Sequence, residues 1–310
     1  MDLTHQLVAL VGGVLCCPAQ LSVVVANLRS RRVVRREPVA GTVLHIARWA
    51  HGLVLLTGAS GAIGPASLVV ADAHGVGVAQ LAPIQAGEIP GGGGVSQWQQ
   101  PGLAVDAAGT EAYVVDPNGS VAEINLRTLA VFQHQPTTRR SFLTRLDGWL
   151  EPAAAAKGDS GPVRQAQWIG NGFILVAGSN LHDTERQLAS DPAGLELIDT
   201  HSWTVDVLAP QADFFTVANR LVLVTGARWR GTVSPTGMGL EAYGPDKARR
   251  FRLFAGEDVW IDHIANGRAY IAGYGWKNER IIDLSTGRII GTRGTAVAPM
   301  LLLGLGNPLG

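Results

Sequence analysis

The stretch that decides the fold is Pro101–Val131, PGLAVDAAGTEAYVVDPNGSVAEINLRTLAV. Four short apolar runs alternate in it with turn signals, which are Asp106–Gly109, Asp116–Gly119 and Arg127-Thr128. Runs joined by turns this tight predict four antiparallel strands in a meander, because a parallel pair needs a much longer crossover. Both faces of this sheet carry apolar residues, so we expect another sheet on each side of it.

The same four-strand pattern recurs along the chain. It is predicted over the segments Thr42–Leu81, Val163–Leu208, Phe214–Phe254 and Val259–Thr292. The second strands of these segments read LVLLTGA, FILVAGS, LVLVTGA and AYIAGYG, and the turn between the third and fourth strands follows an acid or an amide. Repetition of one supersecondary unit predicts sheets stacked side by side in a single array.

The two ends of the chain supply the remaining strands. Three are predicted near the start, at Gln6–Leu10, Leu21–Ala26 and Val33–Arg36, and one unmatched apolar run, Ala298–Leu303, lies near the end. Three strands plus one complete a sixth sheet, and such a closure removes exposed sheet edges. The prediction is therefore an all-β, six-bladed β-propeller of four-stranded antiparallel blades. It forms one domain over residues 1–310, with its ring closed by N- and C-terminal strands.

The quoted stretch also resembles a known family. Pro101–Val131 is similar to the YVTN-type bacterial β-propeller repeat, a relative of the NHL and quinoprotein-like propellers, and IDLSTGRII and LIDTHSWTV resemble it more loosely. The resemblance implies four-stranded blades and an extracytoplasmic bacterial protein. It implies little about chemistry, since such propellers serve as scaffolds, sensors and occasional enzymes.

Composition narrows the choice of partners. The formal net charge is +0, with 46% hydrophobic and 16% charged residues, which gives no strong attraction to nucleic acid or to an anionic membrane. No run is long enough to span a bilayer, and the first residues lack a basic segment, so we interpret them as a strand and not as a signal peptide. Cys16 and Cys17 are adjacent, which favours packing thiols over an ordinary disulfide.

Long connections are concentrated on one face of the predicted ring. They either join second to third strands or lead into the next sheet, and they are Ala59–Ala66, Gln85–Gln100, Pro136–Pro162, Ser179–Ala193 and Ala227–Gly237. We call this side the long-loop face. The insert at 136–162 contains RSFLTRLDGWL, whose spacing predicts a short helix near 140–151, with Phe142 and Leu146 on its apolar side. The tract Gly91–Gly94 lacks the strand and helix context of a phosphate-binding loop.

Aromatic and charged residues of these connections form the candidate binding site. The set comprises Trp98, Trp149, Trp229, Trp276, Arg228, Arg230 and Lys277. Five of them come from equivalent connections of the fifth and sixth sheets, so two indoles and three cations could converge on an anionic or carbohydrate-like group. The alternative is that the tryptophans pack the loops against each other, or that an arginine stacks on an indole to hold a loop.

Catalytic motifs are missing from the sequence. It has no G-x-S-x-G and no His-x-x-x-His, and no cluster of acids recurs on the first strands. Three polar residues are candidates for the central channel, namely His45, Arg164 and Asp262. The neighbouring Asp262 and His263 are expected to point to opposite faces of their strand. We therefore predict no metal site and no cofactor.

The sequence thus favours a non-catalytic binding or interaction module. Its ligand or partner, an unknown protein, peptide or carbohydrate, is expected on the long-loop face, and the chain is expected to be a monomer without nucleic acid or a membrane span. Two alternatives remain open. One is a lactonase-like or other hydrolase with a channel site at Asp262, Arg164 and His45, and the other is a structural domain of a larger exported protein.

Overall fold

The computed structural model describes residues 6–12, 21–27, 30, 32–49, 51–90, 96–138, 161–184, 187–230 and 233–294. All the regular structure of these residues is β-strand. Several sequence predictions lie outside the described residues, namely the helix near 140–151, the tract Gly91–Gly94, Cys16, Cys17 and the closing run Ala298–Leu303. The helical insert and the closure of a six-bladed ring therefore stay predictions.

The first three sheets are antiparallel meanders in chain order. Sheet 1 contains β1 (Gln6–Gly12), β2 (Leu21–Asn27) and β3 (Arg32–Pro38). Sheet 2 contains β4 (Thr42–Trp49), β5 (Gly52–Gly58), β6 (Ile63–Asp72), β7 (Val76–Pro90) and β8 (Ser96–Gln99). Sheet 3 contains β9 (Gly102–Val105), β10 (Glu111–Val115), β11 (Val121–Asn125) and β12 (Val131–His134). Sheet 3 confirms the meander predicted from the quoted stretch.

Sheets 4 to 6 repeat the plan, with added strands at two places. After β13 (Thr137–Thr138), sheet 4 is built from β14 (Pro162–Gly170), β15 (Phe173–Thr184), β17 (Leu195–Asp199) and β18 (Thr204–Ala209), with β16 (Gln187–Pro192) beside β15. Sheet 5 has β19 (Phe214–Ala218), β20 (Leu221–Thr225), β23 (Leu240–Tyr243) and β24 (Arg249–Leu253), and β21 (Ala227–Arg230) and β22 (Val233–Gly237) lie between β20 and β23 in the chain. Sheet 6 has β25 (Val259–Ala265), β26 (Arg268–Gly273), β27 (Asn278–Asp283) and β28 (Arg288–Gly294).

The sheets pack face to face in chain order. One apolar cluster joins sheets 2 and 3, with Leu56 and Leu68 against Val114 and Ile124. The opposite face of sheet 3 packs on sheet 4, and further clusters join sheet 4 to sheet 5, sheet 5 to sheet 6, and sheet 1 to sheet 2. Each of sheets 2 to 5 therefore buries both faces, which is the packing of blades in a β-propeller.

First strands of neighbouring sheets also meet directly. The Gln100 N–H donates to the Pro162 carbonyl at 3.0 Å, and the Arg164 N–H donates to the Gln100 carbonyl at 2.8 Å. These bonds join the start of β9 to the start of β14. The beginnings of the first strands are thus close together, on the side of the array where the long connections emerge.

The long connections are strands where the structure describes them, and not irregular loops. Residues Ile63–Pro65 pair with Gln85–Gly87, and β7 then pairs with β8. Ser179–Thr184 pairs with β16, and β21 pairs with β22. The prediction of loops was wrong here because these segments find hydrogen-bonding partners in one another, which local turn signals do not report.

Candidate functional site

Two hairpins on the long-loop face join into one ribbon. The β15–β16 hairpin of sheet 4 pairs with the β21–β22 hairpin through Ala189 opposite Arg230 and Ser190 opposite Trp229. This pairing makes β21 and β22 part of the eight-stranded sheet 4, although they follow β20 of sheet 5 in the chain. It gives the long-loop face a hydrogen-bonded platform over sheets 4 and 5, which can hold side chains more rigidly than separate loops could.

An aromatic pair lies where this platform reaches sheet 6. The ring of Trp229 contacts that of Tyr274 edge to face, with centroids 5.7 Å apart and planes at 88°. Tyr274 follows the second strand of sheet 6 and keeps 52% of its surface exposed. The structure therefore brings the equivalent connections of sheets 5 and 6 together, and we call the space beside these two rings the 5–6 cleft.

Trp276 lies beside the cleft but is held by several groups. Its Nε1 donates to Glu257 Oε2 at 2.9 Å, and its ring meets Phe254 with centroids 4.9 Å apart. The Arg280 guanidinium lies 5.3 Å from the ring centroid, and a side chain at Gly273 would collide with the indole. The indole also packs against the core shared by sheets 5 and 6, so these contacts are those of a packing residue.

The three cationic residues expected to line a pocket, Arg228, Arg230 and Lys277, do not converge as the sequence predicts. Arg228 Nε lies 2.9 Å from Asp191 Oδ1, so the guanidinium is bound to a carboxylate of the neighbouring hairpin. Lys277 is exposed next to Trp276, and Arg230 is placed by its backbone pairing with Ala189. The contact of Arg228 with Asp191 joins β21 to β16, and it neutralises one of the three charges expected to bind an anion.

Two acidic residues lie where β19 and β25 begin, beside the connections that carry Trp229 and Tyr274, and the Tyr274 N–H donates to the Asp258 carbonyl at 2.9 Å. Asp213 Oδ2 accepts a hydrogen bond from the Ala227 N–H at 3.1 Å. The pKa of Asp213 is raised to about 7, mainly by burial; the Ala227 bond opposes this rise and the neighbouring Asp258 contributes to it. Burial likewise raises the pKa of Asp258 to about 6. Together with Glu257, which accepts the Trp276 Nε1–H, three acidic residues thus lie beside the connections of sheets 5 and 6.

The other two candidate tryptophans do not join this group. Trp98 lies on β8, opposite Glu88, and its backbone carbonyl is so close to Gly161 that a side chain at Gly161 would collide with it. It therefore lies beside sheet 4 at the start of β14, while the 5–6 cleft lies beyond sheet 5. Trp149 lies outside the described residues.

His45 is packed between first strands. Its Nε2 lies 3.2 Å from the Gln100 Nε2, and the same amide lies 3.5 Å from the Leu44 carbonyl. Desolvation lowers the pKa of His45 to about 4, and hydrogen bonds with the backbone of Arg164 and Pro101 oppose that shift. The imidazole thus contacts the segments that begin β9 and β14, which places it at the junction of sheets 2, 3 and 4.

Arg164 links sheets 3 and 4. Its guanidinium donates to the Ser179 carbonyl at 3.1 Å, to Asn180 Oδ1 at 3.0 Å and to the Pro117 carbonyl at 3.5 Å. Burial lowers the pKa of Arg164, while Glu196 and Asp116 raise it. These partners belong to the connections between second and third strands, so Arg164 ties two such connections together.

The side chains of Asp262 and His263 lie on the same side of β25, whereas strand alternation predicts opposite sides. His263 Nδ1 lies 2.7 Å from Asp262 Oδ2, and the imidazole stacks on Tyr270 with centroids 4.0 Å apart. The register of β25 with β26 shifts between Ile261 and His263. A β-bulge of this kind can bring consecutive side chains to the same face.

A buried carboxylate lies beside this pair. Glu279 is 5% exposed, and its pKa is raised by burial and by the nearby Asp262. Arg293 Nε lies 3.7 Å from Glu279 Oε2, and its guanidinium lies over the Tyr270 ring. The three channel candidates are therefore not assembled at one point, since His45 and Arg164 lie at the junctions of sheets 2 to 4 and Asp262 lies on sheet 6.

In the described part of the chain, no group of three or more His, Cys, Asp or Glu side chains could hold a metal ion. Among the same residues no helix is long and apolar enough to cross a membrane.

Sequence reasoning missed several residues of the cleft. Tyr274 stands in AYIAGYG, at the position where the other second strands end in a small residue, and that difference was a usable signal. Glu257, Asp213 and Asp258 stand just before or at the start of first strands, where nothing in the local pattern distinguishes a site residue. Only the packing of sheet 5 on sheet 6 shows that they lie near the aromatic pair.

Comparisons with known proteins show a similarity of fold. No family model and no curated protein matches the chain. Among solved structures, the chain is similar to dihydro-heme d1 dehydrogenase NirN in complex with DHE, with 16% identity over 88% of this chain and 51% of that one, and a TM-score of 0.49. The chain thus spans about half the length of the NirN chain.

Two further structures are similar over most of their length. BamB from Moraxella catarrhalis shares 11% identity over 89% of this chain and 85% of its own, with a TM-score of 0.39. The nidogen/laminin complex shares 11% identity over 94% of this chain and 93% of that one, with a TM-score of 0.40. Likenesses this distant concern the fold alone, so the function is argued below from the chain's own residues.

Proposed function

We propose that this protein is a non-catalytic β-propeller binding module that takes its ligand or partner in the 5–6 cleft of the long-loop face. The observation that supports it is the contact of Trp229 with Tyr274, which joins two neighbouring sheets and leaves half of the tyrosine exposed. Aromatic rings with one open face and polar groups nearby suit sugar rings and peptide side chains.

The charges of the cleft favour a neutral or cationic ligand group over an anionic one. Arg228 is bound to Asp191, while Glu257 and Asp258 lie beside the connection that carries Tyr274. An incoming anion would meet these carboxylates, whereas hydroxyl, amide or ammonium donors could hydrogen-bond to them. The class proposed is therefore a carbohydrate or a peptide with a basic group. The six-bladed ring, the monomeric state and an extracytoplasmic bacterial location belong to the same proposal, and the location follows from the repeat resemblance.

The experiment is a glycan and peptide array screen of the full chain, followed by titration of each hit against variants. Tyr274→Ala should weaken binding of the hit by about tenfold or more while the melting temperature changes little. Phe132→Ala is the matched control, because Phe132 is similarly exposed, at 58%, and lies on β12 of sheet 3. Equal binding by wild type and Tyr274→Ala would exclude the 5–6 cleft as the site.

A hydrolase is the second candidate, and one observation favours it. Asp262 orients the His263 imidazole through Nδ1, which is how a carboxylate prepares an imidazole for general base catalysis. No third member of a catalytic set is identified among the described residues. A panel of ester and lactone substrates tests this candidate, and it requires that His263→Gln abolish any hydrolysis that the wild type shows.

A further inference from the structure

The outer strand of sheet 1 concentrates positive charge in a chain that is neutral as a whole. The segment NLRSRRVVRREP, residues 27–38, contains five arginines, whereas the complete chain has a formal net charge of +0. Two of them, Arg29 and Arg31, lie outside the described residues. The other three are on β3, which is therefore an arginine-rich strand at the edge of a sheet.

This strand is exposed in both its side chains and its backbone edge. Val33 and Val34 keep 60% and 52% of their surface exposed, and Arg32 and Arg36 are exposed as well. Among the described residues, β3 pairs with β2 and with no strand on its other side. Exposed valines on an unpaired edge are unfavourable in a soluble protein unless something covers them.

Two of the three arginines have no acidic partner in the described part of the chain. Arg35 lies 3.4 Å from Glu37 and donates to the His74 carbonyl at 2.6 Å, so it is used to join sheet 1 to sheet 2. No ion pair joins Arg32 or Arg36 to another described residue. Within the described residues their charges are uncompensated, and both side chains are exposed.

The outer strand of sheet 5 provides an internal comparison. β24 is also basic, but Arg249 and Arg252 both contact Glu241, and Arg250 contacts Asp246 at 2.8 Å. Its charges are balanced within the fold. A basic outer strand thus occurs twice, and only β3 lacks that internal compensation among the residues described.

The fold itself shows that an outer edge can accept another strand. Thr137–Thr138 pairs in parallel with Thr204–Val205, on the outer edge of sheet 4. The added segment leaves sheet 3 and lies along sheet 4 by backbone hydrogen bonds. The same kind of addition is sterically open to an extended segment along β3.

We infer that β3 is a docking edge for an extended acidic peptide segment of a partner protein, which adds as a strand and pairs its carboxylates with Arg32 and Arg36. Backbone pairing would supply affinity, the guanidinium groups would select acidic side chains, and Val33 and Val34 would be covered. The exposed valines and the open backbone edge favour a peptide over a nucleic acid or a membrane surface, since neither of those uses a strand edge.

The test uses the full chain and the fluorescein-labelled peptide EVEVEVE in an anisotropy titration. Two comparison peptides accompany it, one with lysine in place of glutamate and one with methylated backbone nitrogens and unchanged charge. Arg32→Glu with Arg36→Glu is the variant, and Arg127→Glu with Arg288→Glu is the matched control, because both arginines are exposed elsewhere and the charge change is equal. Melting curves confirm that each variant folds.

The expected result is that EVEVEVE binds the wild type, that the Arg32/Arg36 variant binds it at least roughly tenfold more weakly, and that the control variant does not. The lysine peptide and the methylated peptide should not bind. Equal binding of the methylated peptide would overturn the strand addition, and so would binding of duplex DNA or phosphatidylserine vesicles without binding of the peptide. The inference also fails if the wild type binds no peptide. Self-association of the Arg32→Gln/Arg36→Gln variant would then show that the arginines only prevent edge pairing.

Discussion

The His263 imidazole and the Asp262 carboxylate are 2.7 Å apart, although they belong to consecutive residues of β25. Side chains of consecutive strand residues normally point to opposite faces. The register shift between Ile261 and His263 removes that alternation at this one place. A bulge on a first strand thus brings together two groups that a regular strand would have separated, and it does so next to the buried Glu279.

Replacing Trp276 by alanine should destabilise the fold. The indole is bonded to Glu257, packs on Phe254 and covers Gly273, so we expect a loss of roughly 3 kcal/mol in the free energy of unfolding. Tyr274→Ala should lose only about 1 kcal/mol, since half of the tyrosine surface is exposed and its ring meets Trp229 edge to face. Urea denaturation of both variants measures the difference, and equal losses would contradict this division of roles.

The core between sheets 4 and 5 depends on Phe215. This ring is completely buried among Leu175, Leu197 and Val224. Phe215→Ala should cost about 4 kcal/mol, because the cavity cannot close around a rigid sheet interface. Phe132 keeps 58% of its surface exposed, and Phe132→Ala should change stability by less than about 0.5 kcal/mol. Thermal melting compares the pair, and a large effect at Phe132 would indicate an unrecognised packing contact.

Stability should depend on pH through Asp213. Its pKa is raised to about 7 in the folded chain from an ordinary value of 3.8, so the folded state holds this proton more tightly than the unfolded state. The contribution is therefore full below about pH 4 and is lost as the pH rises through about 7. Asp213→Asn should remove this loss and gain about 2 kcal/mol relative to wild type at pH 8, with little difference at pH 4.

The lowered pKa of His45 makes stability depend on pH in the opposite direction to that of Asp213, so it is tested with a separate variant. Its pKa is lowered to about 4 in the fold, so its contribution is present above its ordinary value of 6.5 and is lost as the pH falls toward 4. His45→Gln should flatten that acidic loss and leave the neutral slope of Asp213 in place. Urea denaturation at several pH values separates the two, and identical pH profiles for wild type and Asp213→Asn would refute the role of Asp213.

Closure of the ring can be tested by truncation. The sequence predicts that Ala298–Leu303 completes sheet 1, so removal of residues 297–310 should expose a sheet edge and lower the melting temperature by several degrees. Removal of residues 304–310 alone is the control, because it spares the predicted strand. If both truncations melt like the full chain, the run does not close the ring.

The sequence by itself determined the sheets and their order. In sheet 3, Gly109 and Gly119 have positive φ values of 66° and 93°, which glycine adopts without strain, and these turns were visible in the quoted stretch. Turn residues and β-forming runs act within a few positions, so they can be recognised without knowing the fold. The strands predicted for sheets 3 to 6 are present for the same reason, as are the three strands of sheet 1.

Tertiary structure alone decided the arrangement of the candidate sites. Ser190 pairs with Trp229 across two hairpins, Arg164 reaches carbonyls of two connections, and Tyr274 meets an indole 45 positions earlier in the chain. Each of these contacts depends on how one sheet lies against the next, and the side chains carry no local pattern that encodes that distance. The hairpins on the long-loop face became ordered strands because backbone groups need hydrogen-bonding partners, and most of these partners lie in the same connection, with β16 and β21 pairing between two connections.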